Sequence, residues 1–133
     1  MEWMVALGLI VLPLIVLLAS VQVWLDRKAV AEALANEAAR AVAIAVDHST
    51  AVQAVDLLES RQEARLGVPA SACPSDGGCL HVRMSGNAET GGEVRSEVSV
   101  FMPGIIIPFI GEISGTWWTT GHTEMIDPYR VLP

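Results

Sequence analysis

The chain has 133 residues, with 15 acidic and 8 basic side chains and a net charge of −7. Once a membrane segment is set aside, this length leaves one small domain with a thin core. The acidic balance, with no basic cluster beyond Arg27-Lys28, disfavours nucleic-acid binding, which needs several cations on one face.

The chain opens on Glu2 and then an apolar run from Trp3 through Pro13 to Ala19, prolonged by Ser20-Val21-Gln22-Val23-Trp24-Leu25 and closed by Asp26-Arg27-Lys28. At about 1.5 Å per residue, Trp3 to Val21 makes a helix of roughly 28 Å, close to the thickness of a bilayer's hydrocarbon core. The run is too long for a signal-peptide h-region and lacks a basic n-region and a small-x-small cleavage site, so a retained transmembrane helix over 1–25 is expected. Pro13 falls inside it, which membrane helices tolerate as a kink. Orientation signals conflict. Arg27-Lys28 would hold the following end in the cytoplasm, whereas the close pair Cys73 and Cys79 suits a disulfide in an oxidising compartment. A basic leader ahead of Glu2 would reconcile them.

From Val23 the helical pattern continues without Gly or Pro to Asp47. Val30, Leu34, Ala38, Ala41 or Val42, and Ala45 or Val46 form an apolar stripe, with Glu32, Asn36, Glu37 and Arg40 off it. One helix over 2–47 is expected, apolar and then amphipathic, with alanines that would allow another helix to approach closely. Thr50 and Gln53 form a capping box for a second helix ending near Leu66, with Val52, Val55, Leu58 and Leu66 on its apolar side and Gly67 and Pro69 stopping it. The Asp76-Gly77-Gly78 turn lies inside the loop that a Cys73–Cys79 bond would close.

Three strands follow by alternation: Leu80, Val82, Met84; then Val94, Val98, Val100; then Ile113, Gly115, Trp117, Thr119. Between the last two, 103–111 reads as a loop with prolines at Pro103 and Pro108 and an apolar body. A small three-stranded antiparallel sheet with one valine-rich face needs a cover, and the amphipathic half of the first helix is the obvious one. The expected fold is therefore α+β.

Glu2 at the head of the apolar run, Leu12-Pro13-Leu14 within it, Glu37-Ala38-Ala39-Arg40-Ala41, and the ending His122-Thr123-Glu124-Met125-Ile126-Asp127-Pro128-Tyr129-Arg130 carry a resemblance to the TadE/TadG-like minor pilins of the tight-adherence type IV pilus system, in their actinobacterial form. The resemblance implies a type IV pilin-like fold in which 26–133, including the amphipathic half of the first helix, is an extracytoplasmic head. It also implies processing by a prepilin peptidase, and as partners other pilin-like subunits, the pilus assembly machinery and the membrane. It gives Glu2 an assembly role, pairing with a neighbour's terminal amine, and Pro13 a place in the same helix. A lone carboxylate at the edge of hydrocarbon is costly unless paired, although at a helix N-terminus it also has a purely local use.

In the head, Ile105, Ile106, Ile107, Phe109 and Trp118 are the candidate partner contacts, since an exposed apolar patch marks a protein or membrane contact. The competing reading is a core plug under the sheet. Trp117 and Trp118 face opposite ways in a strand, so one belongs to the core. No cofactor, metal or small-molecule substrate is expected: Cys-x5-Cys is not a common zinc spacing, His48, His81 and His122 sit in unrelated contexts, and neither a nucleophile elbow nor a phosphate loop is present. A pilus or secretion-filament subunit is the leading function. The alternative is a membrane-tethered extracytoplasmic protein-binding module that captures its partner through 103–111.

Overall fold

In the computed structural model, which describes residues 2–45, 47–67, 73–74, 78–87 and 89–128, the first helix, α1, runs unbroken from Glu2 to Ile44 through Pro13. It stops three residues short of the expected end. Asp47 takes up extended backbone (φ −142°, ψ 169°) and caps the second helix, α2 (His48–Leu66). The capping box expected at Thr50 and Gln53 is therefore displaced. Asp47 Oδ1 accepts the Thr50 N–H at 2.6 Å and the Ser49 hydroxyl at 2.9 Å, because a carboxylate three residues ahead reaches the free N–H groups of the first turn. Gly67 closes α2 in the left-handed region (φ 60°). On the inner side of α2, Ala51 and Val55 are buried and Leu58 and Leu66 pack against the core, while Val52, expected there, is exposed.

The three-stranded antiparallel sheet is β1 (Leu80–Gly86), β2 (Glu93–Met102) and β5 (Thr116–Met125), with β2 central. Two further short strands, β3 (Ile105–Ile107) and β4 (Gly111–Ile113), occupy the stretch expected to be a loop. The third strand therefore starts at Thr116 rather than Ile113 and continues through His122, Thr123 and Glu124. The pairing register carries straight across the interruption: Met102 lies opposite Thr116, and Ile105 opposite Ile113. β2–β3 and β4–β5 are thus one long hairpin, broken once toward its tip. Gly104 and Gly115 make that break possible, because a Cβ on them would lie 2.6 Å from the Ile113 carbonyl oxygen and 2.5 Å from Phe101 Cζ.

The core lies between the second half of α1 and the inner face of the sheet. Ala31, Leu34 and Ala35 meet Leu80, Val98, Val100 and Met102. The buried stripe is turned one position from the expected one: Ala31, Leu34, Ala35, Ala38 and Ala39 are 0–1% exposed, and Val30 is half-buried. The small side chains let the sheet backbone come close, and α2 packs against α1 as well. Ser96 is fully buried and donates its hydroxyl to the Ala35 carbonyl. Arg27, expected to flank a membrane, is instead folded under the sheet at 7% exposure and donates to the Phe101 carbonyl.

β1 is an edge strand, and α2 covers that edge with carboxylates. Glu63 Oε1 accepts the Cys79 N–H at 3.0 Å, and Glu59 accepts a backbone hydrogen bond from Val82. Four residues apart on α2, they take up strand N–H groups that would otherwise stand open to another chain.

Candidate functional site

The first surface of interest is the apolar half of α1. Within the described residues one helix is long and apolar enough to cross a membrane, and none of its most apolar stretch is buried in the protein. Leu7, Ile10, Leu14, Ile15 and Leu18 are each more than half exposed. Water would make that exposure prohibitively costly for one short domain, so the surface requires lipid or other protein. Pro13 lies in this half and is part-covered; it removes the N–H that would bond the Leu9 carbonyl. Glu2 opens the helix, and its side chain lies outside the described residues.

The second surface is the distal end of the long hairpin. Structure divides the five candidate contact residues, of which four lie in this arm and Trp118 in β5. Ile105 and Ile107 are 6% and 7% exposed, and β3 touches α1 but neither α2 nor the three-stranded sheet. Their side chains are therefore occupied within the molecule. Trp118 is half-buried against the core, with the Lys28 ammonium 5.3 Å from its ring centroid. These three are packing residues, because alternation along a strand sends every second side chain to the α1 side. Ile106 and Phe109 stay out, at 71% and 80% exposure, and Ile110 joins them at 73%. Trp117 takes the outer face of the sheet, 5.2 Å from the His81 ring and 5.5 Å from Phe101.

The turn at the tip is unusual. Ile110 N–H donates to the Ile107 carbonyl at 3.2 Å, with Pro108 second in the turn and Phe109 third at φ 68°. A proline followed by a positive φ is the type II pattern, whose third position is normally glycine or asparagine. The hairpin is tied to α1 at its base, where Trp24 Nε1 donates to the Pro103 carbonyl at 3.1 Å.

A third feature is a cleft of about 470 Å³ lined by Glu59, His81, Val82, Arg83, Ser99 and Trp117. Burial raises the Glu59 carboxyl above its usual range, opposed by the Val82 hydrogen bond and by His81, whose Nδ1 is 4.0 Å away. Cys73 and Cys79 are joined by a disulfide, their Cα atoms 5.2 Å apart. Glu63, bound to the Cys79 amide, ties that end of the disulfide to α2. Asp76 and Gly77 of the expected turn, like Tyr129 and Arg130 of the expected ending, lie outside the described residues. Among the described residues no group of three or more His, Cys, Asp or Glu is placed to hold a metal ion.

What sequence reasoning missed here is the hairpin geometry. A proline-bracketed isoleucine run carries no alternation to reveal a strand. The repeated register about Phe109 was the available signal, and it needs the pairing of β2 with β5 to be known first. No family model, curated protein or solved structure matches this chain.

Proposed function

We propose that this chain is a structural subunit of a type IV pilus of the tight-adherence kind, or of a related secretion filament, in the role of a minor pilin or pseudopilin resembling the TadE/TadG-like proteins. α1 crosses the membrane before assembly, and its head stands on the extracytoplasmic side. The observation that carries this reading is the construction of α1. One helix gives its second half to the core of the head and leaves most of the surface of its first half uncovered by the described residues. A protein needing only a tether has no reason to build its head directly on the spanning helix. A subunit that must transmit a fixed orientation from helix packing to a surface head does.

Two further observations support the orientation. The Cys73–Cys79 disulfide suits an oxidising compartment. Arg27 is bound inside the head, which leaves Lys28 alone at the membrane flank and weakens the positive-inside argument. The partners on this reading are other pilin-like subunits, the assembly machinery and the bilayer.

The test is photo-crosslinking from Leu7, Ile10 and Leu14 of the full chain in the native envelope. Adducts with other pilin-like chains are expected at these positions. Lipid adducts alone would sink the filament reading.

A further inference from the structure

We infer that the β3–β4 arm is a second membrane-inserting element, entering the bilayer leaflet nearest the head alongside the apolar half of α1. The inference goes beyond the filament reading and requires only that α1 span a membrane.

Direction is the first ground. Three contacts fix how the long hairpin runs against α1. Ser96 bonds Ala35, Phe101 bonds Arg27, and Pro103 bonds Trp24. Advancing along β2 therefore means descending α1 toward its apolar end. β3 continues the same hairpin, and Ile105 and Ile107 stay covered, with α1 and β4 the elements that β3 touches among the described residues. On α1, Trp24, Ser20, Val16 and Pro13 are part-covered while the residues around them are exposed. They follow one another at three-to-four spacing, so they form a single stripe that starts where Pro103 meets Trp24, on the helix that β3 touches. At about 3.3 Å per residue the arm reaches at most roughly 20 Å past Pro103. The arm thus lies along the part of the apolar half of α1 that adjoins the head, and the residues before Pro13 extend beyond it.

The surface chemistry is the second ground. Ile106, Phe109, Ile110 and Ile113 are 71%, 80%, 73% and 48% exposed. Phe109 and Ile110 make an apolar tip, Ile106 and Ile113 extend the apolar surface along the arm, and the arm packs on α1, whose own leucines and isoleucines are exposed. Glu112 is the only ionisable side chain between Pro103 and Gly115, and it sits opposite Ile106 rather than at the tip. A carboxylate belongs at the headgroup boundary. Glu112 therefore limits the depth, with Ile107 to Gly111 below it.

Backbone strain is the third ground. Phe109 holds a positive φ of 68° while being 80% exposed. A bulky aromatic in the left-handed region is disfavoured, and within the molecule its ring returns almost no packing for that cost. Burial of the ring in hydrocarbon supplies the missing compensation, and strain held at an exposed tip is a feature of binding elements.

The experiment uses the full chain, disulfide intact, reconstituted in phosphatidylcholine–phosphatidylglycerol vesicles. A nitroxide is placed in turn at Ile110→Cys and Ile106→Cys on the arm, Leu14→Cys on α1, and Glu89→Cys in the β1–β2 turn. Power saturation compares collision with oxygen, which partitions into lipid, and with a water-soluble nickel chelate. The arm labels should favour oxygen several-fold, with Ile110 deeper than Ile106 and approaching Leu14, while Glu89 favours the chelate. Arm labels that match Glu89 would overturn the inference. So would arm labels shielded from both reagents, the signature of a seat against a second copy of this chain. A Leu14 label in water would overturn the span itself, so failure of the arm and failure of the anchor read differently.

Discussion

Glu59 lies in α2 and Asp47 caps it, yet their surroundings push them in opposite directions. Burial against β1 raises Glu59, whereas the Thr50 N–H and the Thr50 and Ser49 hydroxyls lower Asp47. The signs of their contributions to stability differ accordingly. A raised carboxyl stabilises the fold fully below its unfolded value, and that contribution is lost as pH rises through the folded value. A lowered carboxyl stabilises above its unfolded value, and that is lost as pH falls through the folded one. Asp56, Glu63 and His81 share the surroundings of Glu59, so its substitution must keep shape as well as remove charge. Glu59→Gln should make the head more resistant to urea at pH 7, with the difference from the natural chain shrinking toward pH 4. Asp47→Asn should weaken it at pH 7, and that difference too should shrink in acid. Tryptophan fluorescence of the full chain in detergent micelles, with Trp117 and Trp118 in the sheet, gives the midpoints.

Among the elements, α1 and the long hairpin set what could be read in advance. The buried stripe Ala31, Leu34, Ala35, Ala38, Ala39 followed from helical periodicity to within one position, because burying one side of a helix imposes that period on its residues. The inner face of β2 was legible for the same reason, since Val94, Val98 and Val100 alternate with polar residues. The second half of β5 was not. Its Thr120, His122 and Glu124 are only half-covered, so nothing selected apolar side chains there and no alternation remained to find. The displaced cap at Asp47 was hidden because two overlapping capping patterns occupy 47–53. The burial of Arg27 depends on a strand 74 residues further on. Of the candidate site, the apolar character of 105–110 was plain. Which of its isoleucines face α1 was not, since that depends on pairing. The closeness of helix and sheet makes its own prediction. Ala35 is 1% exposed in the core, while Ala33 is exposed. Ala35→Leu should cost about 1–3 kcal/mol through overpacking, and Ala33→Leu almost nothing, by the same urea titration.

At the scale of the whole molecule, the decisive matter is whether the angular position of the apolar half of α1 relative to the head carries function. Residues before Pro13 lie beyond the part-covered stripe of α1. Inserting one alanine after Leu12 therefore leaves the head and arm contacts in place. It turns the N-terminal segment by about 100° and shifts it by about 1.5 Å. Inserting four alanines turns it by a full turn and only about 40° more, which nearly restores the original face at the cost of about 6 Å in length. A plain anchor is indifferent to rotation, because lipid is the same on every side. A helix that packs among other subunits presents one face to each neighbour, and a turn of about 100° exchanges those faces. On the filament reading, the single insertion should abolish cysteine crosslinking from Leu7 to neighbouring subunits while the amount of chain in the membrane stays constant. The fourfold insertion should recover a substantial part of it. Equal crosslinking in all three proteins would mean that the helix has no preferred face, and that the rigid joint between α1 and the head serves only to seat the head on the bilayer.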